Sequence, residues 1–217
     1  MSIVLLHGLG QTPASWDAAA RLLKAESLRP DLFAPLRGGE VSYSHLYRAF
    51  ADCCGRVPGP LHLCGLSLGG VLALQYSAEN PGRVSSLALI GTPCVMPKRL
   101  LGVQNAVFRL MPERAFRRMG LPKRDVLALT GSMRDLDLRG SLANVSCPVL
   151  VLCGERDRAN RKSALDLQAG LSHAELAWVP RAGHEANLDA PEALADKLTD
   201  FYRRIGSISE GSQGLFT

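Results

Sequence analysis

The sequence predicts an α/β fold, in which a mostly parallel sheet of about six strands has helices on both faces. Short apolar runs of strand length alternate with amphipathic helical stretches over nearly the whole chain, a pattern typical of a parallel sheet covered on both sides. The chain has 217 residues, of which 47% are hydrophobic and 21% charged, and this is enough for one substantial core. We therefore expect a single α/β core.

The first half of the chain supplies four predicted strands with three helices between them. Residues 2–6 form a nearly continuous apolar run, and Thr12 followed by Pro13 marks the start of the first helix. The sequence Asn80-Pro81-Gly82 ends the third helix just before another apolar run. The strands are predicted at residues 2–6, 31–34, 61–64 and 84–90.

The alternation lapses from about Val95 to Asn144, where short helical pieces replace it. We interpret residues 95–144 as a lid inserted into a core formed by residues 1–94 and 145–205, and we call them the lid segment. Residues 206–217 are polar and glycine-rich, so we expect a disordered tail. The remaining strands are predicted at residues 148–153 and 175–179, and the remaining helices at residues 160–171 and in the stretch that opens with residues 189–192.

The composition argues against several classes of protein. The six cysteines do not follow the spacing of a disulfide scaffold, so we expect reduced, mostly buried thiols. No C-x-x-C pair occurs and the five histidines are scattered, so no metal site is predicted. The apolar run at residues 3–6 is too short for a signal peptide or a spanning helix, and we therefore expect a cytoplasmic protein without a membrane span.

The stretch from Leu61 to Gly70 is central to the functional prediction. A short buried strand leads through Gly65 into a helix that begins near Leu68, and Ser67 lies at the turn between them. Glycine tolerates the close approach and the backbone strain of such a turn. The unpaired N–H groups of a helix N-terminus favour negative charge that develops beside the serine hydroxyl. The pattern predicts an exposed serine suited to nucleophilic catalysis.

Four candidate groups follow predicted strands directly: Ser67, the turn that begins at His7, Asp157 and His184. The carboxyl ends of parallel strands lie at the same edge of a sheet, and ligands of α/β proteins bind at that edge. We therefore expect these groups to form one site.

These residues together resemble the α/β-hydrolase superfamily, and the resemblance covers roughly residues 2–204. Members of the family commonly have a hairpin before the strand that corresponds to residues 2–6, whereas this sequence starts directly at that strand. We therefore expect a sheet of about six strands with residues 31–34 at its edge. The order serine, aspartate, histidine is the order that this fold uses. The matching motifs are His7-Gly8-Leu9-Gly10, Gly65-Leu66-Ser67-Leu68-Gly69-Gly70, Gly154-Glu155-Arg156-Asp157, and Gly183-His184 followed by Pro191-Glu192.

The resemblance implies a catalytic triad. Ser67 would be the nucleophile, His184 the general base and acid, and Asp157 the carboxylate that orients His184. Glu155 lies two residues from Asp157 and is a second candidate for the orienting carboxylate, although the family pattern favours Asp157.

The family pattern also implies an oxyanion hole formed by the backbone N–H groups of Leu9 and Leu68. His7 lies close to Leu9 in the sequence, but the catalytic histidine of the family comes late in the chain. We expect His7 to brace its turn rather than to take part in the chemistry.

The implied activity is hydrolysis of a small carboxylic ester through an acyl-enzyme intermediate, by a serine esterase that needs no cofactor. Serine at position 67 argues against family members that use an aspartate nucleophile. Two alternatives stay open, because this fold hosts many functions. One is a lyase of the succinyl-hydroxycyclohexadiene carboxylate synthase type, and the other is a ligand sensor that uses the pocket without turnover. The acyl and alcohol parts of the substrate and the oligomeric state stay open as well.

The lid segment is expected to supply part of the substrate pocket and to accept short acyl chains. It also holds ten basic residues against four acidic ones, a net charge of +6 in a chain of +5. A solvated helical face explains most such clusters, and the sharper hypothesis is attraction of anionic esters. Without a recognised binding motif, nucleic acid is not an expected partner. The predicted substrate contacts are Leu9, Leu68, Val95, Met96, Phe108 and Met111, with Leu101 and Val103 as further wall residues.

Overall fold

The computed structural model describes residues 2–23 and 25–206, and it contains the predicted parallel six-stranded sheet in the order β2-β1-β3-β4-β5-β6. The predicted tail lies outside the described residues apart from Gly206. The strands are β1 (Ser2–Leu6), β2 (Glu26–Leu28), β3 (Leu61–Leu66), β4 (Val84–Ile90), β5 (Val149–Gly154) and β6 (Ala174–Val179).

Helices connect successive strands, as a parallel sheet requires. No helix in the part of the chain that the structure describes is both long and apolar enough to cross a membrane. The α-helices are α1 (Asp17–Leu22), α2 (Tyr43–Arg56), α3 (Leu68–Glu79), α4 (Lys98–Leu110), α5 (Lys123–Ser132), α6 (Arg161–Gly170), α7 (Ala186–Asp189) and α8 (Pro191–Arg204), and the 3-10 helices are Pro13–Trp16, Ala34–Leu36, Glu113–Met119 and Arg139–Asn144.

The sheet separates two layers of core, because side chains of a strand point alternately to its two faces. In β4, Leu87 and Leu89 pack with α2, α3 and α6, while Ala88 and Ile90 pack with α1 and α8. All four side chains are fully buried. The central strands are therefore apolar on both faces, which is why they were recognisable as continuous apolar runs.

The edge strand beside β1 is β2 (Glu26–Leu28), so the prediction of a strand at Asp31–Ala34 is wrong. Glu26–Leu28 pairs in parallel with β1, but its residues are exposed or half-buried, and so it lacks an apolar run. Asp31–Ala34 cannot extend, because the Asp31 carboxylate accepts the Phe33 N–H at 3.0 Å and folds the chain into a turn. That turn continues into the short 3-10 helix Ala34–Leu36.

The lid segment connects β4 to β5 and consists of α4, the 3-10 helix Glu113–Met119, α5 and the 3-10 helix Arg139–Asn144. Its start is bonded to the stretch just before Arg139–Asn144, where backbone groups of residues 94–96 bond those of residues 136–138. These contacts are the antiparallel bridge between Val95 and Asp137 and the hydrogen bonds from Leu138 N–H to the Cys94 carbonyl and from Met96 N–H to the Leu136 carbonyl.

Candidate active site

Ser67 lies between the last residue of β3 and the first residue of α3, with φ of 52° and ψ of −112°. Left-handed backbone of this kind is strained for a residue with a side chain, and such strain persists only where the surroundings hold it. The Ser67 N–H donates to the Ile90 carbonyl at 2.8 Å and fixes the turn to β4. A Cβ at Gly65 would overlap the backbone of Gly69, and one at Gly69 would overlap the Leu6 carbonyl. The glycines flanking the serine are therefore required by packing.

His184 and Asp157 form a close pair at the carboxyl edge of the sheet. The His184 Nδ1 atom lies 2.8 Å from the Asp157 Oδ2 atom, after β6 and β5 respectively. The Asp157 side chain is buried, whereas that of His184 is 41% exposed. This geometry directs the Nδ1–H of a neutral imidazole to the carboxylate and leaves Nε2 as the basic nitrogen.

Asn160, which was not predicted from the sequence, lies within hydrogen-bonding distance of both members of this pair. Its Nδ2 atom lies 3.0 and 2.9 Å from the two carboxylate oxygens of Asp157 and 3.1 Å from His184 Nδ1, and its backbone N–H also donates to Asp157. Burial raises the pKa of Asp157, but the hydrogen bonds from His184 and Asn160 outweigh burial and hold this pKa below its ordinary value. The carboxylate therefore stays ionised beside His184 at neutral pH. Only the chain position of Asn160, three residues after Asp157, could have indicated it.

Glu155, the second carboxylate candidate, points elsewhere. It is exposed, and its Oε2 atom accepts the backbone N–H of Arg181 at 3.1 Å. Arg181 has φ of 62°, so this hydrogen bond supports a strained turn just before His184. The structure thus brings Asp157, and not Glu155, to the imidazole.

His7 has both ring nitrogens engaged by backbone groups. Its Nε2 atom accepts the Leu32 N–H at 3.1 Å, and its Nδ1 atom lies 3.0 Å from the Gly8 carbonyl, to which it donates. The side chain is fully buried, and burial lowers the pKa of His7, although the Gly8 carbonyl and Asp31 act in the opposite direction. The ring therefore links the turn after β1 to the segment at Leu32, which is the bracing role expected for it.

The predicted oxyanion donors lie in a turn and at a helix N-terminus. Leu9 belongs to the turn after β1, and Leu68 is the first residue of α3. Among the described residues neither backbone N–H donates to an acceptor within the protein. The first N–H groups of a helix have no intrahelical partner, which accounts for Leu68. The Leu9 N–H lies in a turn, and both groups are available to a ligand.

One cavity of about 430 Å³ contains Ser67, Asp157, His184, Leu9 and Leu68 in its wall. These five residues therefore lie around a common space at the carboxyl edge of the sheet. The other lining residues are mainly apolar and come from α3, the loop after β4, the lid segment and the loop between β5 and α6: Val71, Pro93, Met96, Pro97, Leu101, Gln104, Thr130, Met133, Ala159 and Asn160.

Three of the predicted substrate contacts do not line this cavity: Val95, Phe108 and Met111. Val95 takes part in the bridge at the base of the lid segment, and Phe108 packs edge-to-face on Phe116 at 5.6 Å between ring centroids. Met111 packs against the main core. Among the further wall residues Val103 is exposed, whereas Leu101 does line the cavity. Periodicity identifies an apolar side chain but not the face toward which the lid segment turns it.

Gly91 is a second residue of the site that sequence reasoning missed. It follows β4 with φ of 53°, and a Cβ on it would lie 3.0 Å from His184 Nδ1 and 3.3 Å from Asp157 Oδ2. The imidazole and the carboxylate therefore pack directly against its backbone. The Gly91-Thr92-Pro93 sequence indicated only the end of a strand.

Comparison with known proteins agrees with this architecture. A model of the alpha/beta hydrolase family matches residues 3–197. The pimeloyl-[acyl-carrier protein] methyl ester esterase of Nitrosomonas europaea is 26% identical, over 88% of this chain and 91% of that protein. A Bacillus subtilis protein provisionally assigned as a 2-succinyl-6-hydroxy-2,4-cyclohexadiene-1-carboxylate synthase is 24% identical, over 94% of this chain and 91% of that protein.

Among solved structures, the enol-lactonase from Burkholderia xenovorans LB400 superimposes with a TM-score of 0.80. The match covers 93% of this chain and 91% of that chain at 19% sequence identity. At this level of identity the likeness concerns the fold.

Proposed function

The chain belongs to the alpha/beta hydrolase family, and we propose that it hydrolyses a small carboxylic ester through an acyl-enzyme intermediate on Ser67. The observation that carries this proposal is the hydrogen-bonded pair of Asp157 and His184 in the same cavity wall as a strained, strand-to-helix serine. The esterase named above, which aligns over most of both chains, supports the same reaction class.

In the proposed acylation step the Ser67 Oγ atom attacks the ester carbonyl while His184 Nε2 takes the hydroxyl proton. The ionised Asp157 carboxylate stabilises the imidazolium that results. The negative charge that appears on the carbonyl oxygen would be held by the N–H groups of Leu9 and Leu68. Because both donors are fixed by the fold and have no partner among the described residues, they need no reorganisation when the charge develops.

The tetrahedral intermediate then collapses, and the departing alcohol leaves with the proton from His184. This step leaves an acyl group on Ser67. In the second half of the reaction His184 takes a proton from water, the resulting hydroxide attacks the acyl carbonyl, and the acid is released as Ser67 regains its proton. The chemistry needs only the groups of the chain and water.

The proposed substrate is an ester with a short acyl chain. The cavity of about 430 Å³ lies at the small end of the range for ligand pockets, and its wall is mainly apolar, with Gln104, Thr130 and Asn160 as uncharged polar residues besides Ser67. The N. europaea relative is named for a methyl ester, and a small alkyl leaving group of that kind suits the proposed site.

A lyase of the succinyl-hydroxycyclohexadiene carboxylate synthase type is the second candidate, and the B. subtilis relative favours it. Such a lyase would use the Ser67 and His184 machinery for proton removal rather than for acyl transfer. Trapping separates the two mechanisms, because only the esterase forms a covalent acyl adduct on Ser67. A ligand sensor on the same fold would show neither turnover nor an acyl adduct.

The decisive experiment combines labelling with turnover. We expect a fluorophosphonate probe to label Ser67, identified by peptide mass spectrometry, and a rapidly quenched reaction with an activated butyrate ester to show the acyl adduct on the same peptide. Ser67→Ala should abolish both, while Ser163→Ala, which alters a half-buried serine of α6, serves as the matched control. Labelling or turnover that survives in Ser67→Ala would contradict the assignment.

A further inference from the structure

Two buried amide side chains, those of Gln11 and Asn187, form a reciprocal pair. Gln11 Nε2 donates to Asn187 Oδ1 at 3.1 Å, and Asn187 Nδ2 donates to Gln11 Oε1 at 3.1 Å. Gln11 is 3% exposed and Asn187 is fully buried. The two residues are 176 positions apart in the chain, so the pair is a tertiary contact between distant segments.

The remaining hydrogen-bonding capacity of the two amides is also used. Gln11 Nε2 donates to the Glu185 carboxylate at 3.1 Å, and Gln11 Oε1 accepts the Gly8 N–H at 3.4 Å. Asn187 Nδ2 donates to the Ser15 carbonyl at 3.1 Å. A buried polar network in which every member is satisfied fixes one arrangement of its parts, because any displacement leaves a buried group without a partner.

The Gln11–Asn187 pair joins the segment that carries the proposed oxyanion donor to the segment that carries the proposed general base. Gln11 belongs to the turn that carries the Leu9 N–H, and its own N–H bonds the Gly8 carbonyl of that turn at 3.2 Å. Asn187 belongs to α7, which begins two residues after His184. An oxyanion donor on one segment and the general base on the other must both address one substrate carbonyl, and a displacement of about 1 Å can cost roughly 100-fold in rate.

We infer that Gln11 and Asn187 are positioning residues that hold the Leu9 N–H and His184 in register across the active site. This inference rests on the proposed function, because it assigns the pair to the reaction on Ser67. Neither side chain lines the cavity, so both act through the segments that they join.

The first test removes the pair from either side with Gln11→Leu and with Asn187→Leu. We expect kcat to fall roughly 10- to 100-fold while KM stays within about twofold, because the pocket wall is untouched and only transition-state alignment is lost. The fluorophosphonate labelling rate should fall by a similar factor. Rates are normalised to the fraction of folded protein, so that a loss of stability is not counted as a loss of rate.

The matched control is Ser86→Ala. Ser86 is also fully buried, and it bonds His62 Nδ1 at 2.8 Å within the sheet, away from the carboxyl edge. This variant should lower the melting temperature with kcat unchanged. If Gln11→Leu and Asn187→Leu behave as Ser86→Ala does, with lower melting temperature and unchanged kcat, the positioning role is wrong.

The double variant Gln11→Leu/Asn187→Leu tests whether the two amides act as one unit. We expect its loss of kcat to be no greater than that of the more damaging single variant, because either substitution already breaks the pair. Losses that multiply would show two independent effects and would overturn the inference.

Amide hydrogen exchange tests the Gln11–Asn187 contact without any measurement of turnover. In both single variants the amides of Gln11, Leu188 and Asp189, whose N–H groups donate to carbonyls of their own segments, should exchange at least about 10-fold faster, while those of β5 and β6 keep their wild-type rates. Unchanged exchange in both segments would refute the inference even if the wild-type protein proves not to be an esterase. If the wild type is neither labelled nor active while exchange responds as expected, the proposed function fails and the structural coupling stands.

Discussion

The backbone of Gly91 lies against His184 so closely that a methyl group on Gly91 would be 3.0 Å from the imidazole Nδ1 atom. We expect Gly91→Ala to lower kcat roughly 10- to 100-fold, because the added carbon displaces the imidazole from Asp157 and the left-handed backbone at this position is strained for alanine. Gly55→Ala is the control, because a Cβ at Gly55 meets nothing within 4 Å. Steady-state kinetics would contradict the expectation if the two variants were equally active.

Substitution of Asp157 and substitution of Glu155 should have clearly different effects on activity. Asp157→Asn is expected to lower kcat by roughly 10³ to 10⁴, because the amide cannot stabilise the imidazolium. Glu155→Gln should leave most of the activity, since Glu155 bonds only the Arg181 backbone among the described residues. The reverse ranking in kcat would assign the orienting role to Glu155.

The strands and the candidate site residues could be predicted from the sequence to different degrees, and the differences have physical causes. The strands at the centre of the sheet were predicted correctly because they are apolar on both faces, whereas the polar edge strand Glu26–Leu28 left no such pattern. Ser67 was recognisable because its turn excludes every neighbour larger than glycine at two positions.

Asn160, Gly91 and the Gln11–Asn187 pair were not predicted. Their importance comes from contacts with residues on other strands and loops, and no local spacing records such contacts. The same reason explains why three apolar residues of the lid segment were wrongly predicted to line the pocket.

The buried imidazole of His7 predicts a loss of stability on acidification. Burial lowers the pKa of His7 in the folded protein below the ordinary value of 6.5. On acidification the unfolded chain therefore binds a proton at His7 before the folded protein does, and this favours unfolding. His62 contributes in the same direction, since burial also lowers its pKa. The stabilising contribution is complete above about pH 6.5 and is lost progressively below it.

Urea unfolding at about pH 7.5 and about pH 5.5 measures this effect. We expect a smaller free energy of unfolding at the lower pH. His7→Gln should be less stable at both values but should show a weaker dependence on pH, while His173→Gln, at an exposed position, should keep the wild-type dependence. A free energy of unfolding that does not change between the two pH values would contradict the prediction.

The cavity predicts a preference for short acyl chains. We expect kcat/KM to be higher on a butyrate ester, with about four carbons, than on a laurate ester of about twelve, because the apolar wall encloses only about 430 Å³. Leu101→Ala removes part of that wall and should improve the relative kcat/KM for longer chains. Val103→Ala is the control from the same helix, where Val103 is 62% exposed and does not line the cavity. Faster hydrolysis of the laurate ester by the wild type would refute the preference.

The positive charge of the lid segment predicts faster capture of anionic esters. Lys98, Arg124 and Arg139 pair with neighbouring carboxylates, whereas Arg99 and Arg109 are exposed on α4 without a carboxylate partner among the described residues. Charges of this kind act mainly on the encounter rate and are screened by salt. We expect kcat/KM for a carboxylated ester to fall between low salt and about 0.5 M salt more steeply than for a neutral ester of matched size.

Charge-removing variants localise this effect. Arg99→Gln/Arg109→Gln should reduce the salt dependence for the carboxylated ester, and Arg21→Gln, an exposed change on α1, should preserve it. Equal salt dependence for the neutral and the carboxylated ester would mean that the charge of the lid segment is a solvated surface only.

The bridge at the base of the lid segment affects which insertions and substitutions the protein can tolerate. Because residues 94–96 and 136–138 are bonded to each other, the helices between them leave and rejoin the sheet at one junction, although Phe116, Val126 and Leu129 also pack into the main core. Insertions in the exposed loops of that stretch should cost little free energy of unfolding, whereas substitutions of its buried side chains should disturb the core. Ser67, Asp157 and His184 lie outside residues 94–138, so changes in the exposed parts of that stretch can alter the pocket wall while the residues of the proposed chemistry stay in place.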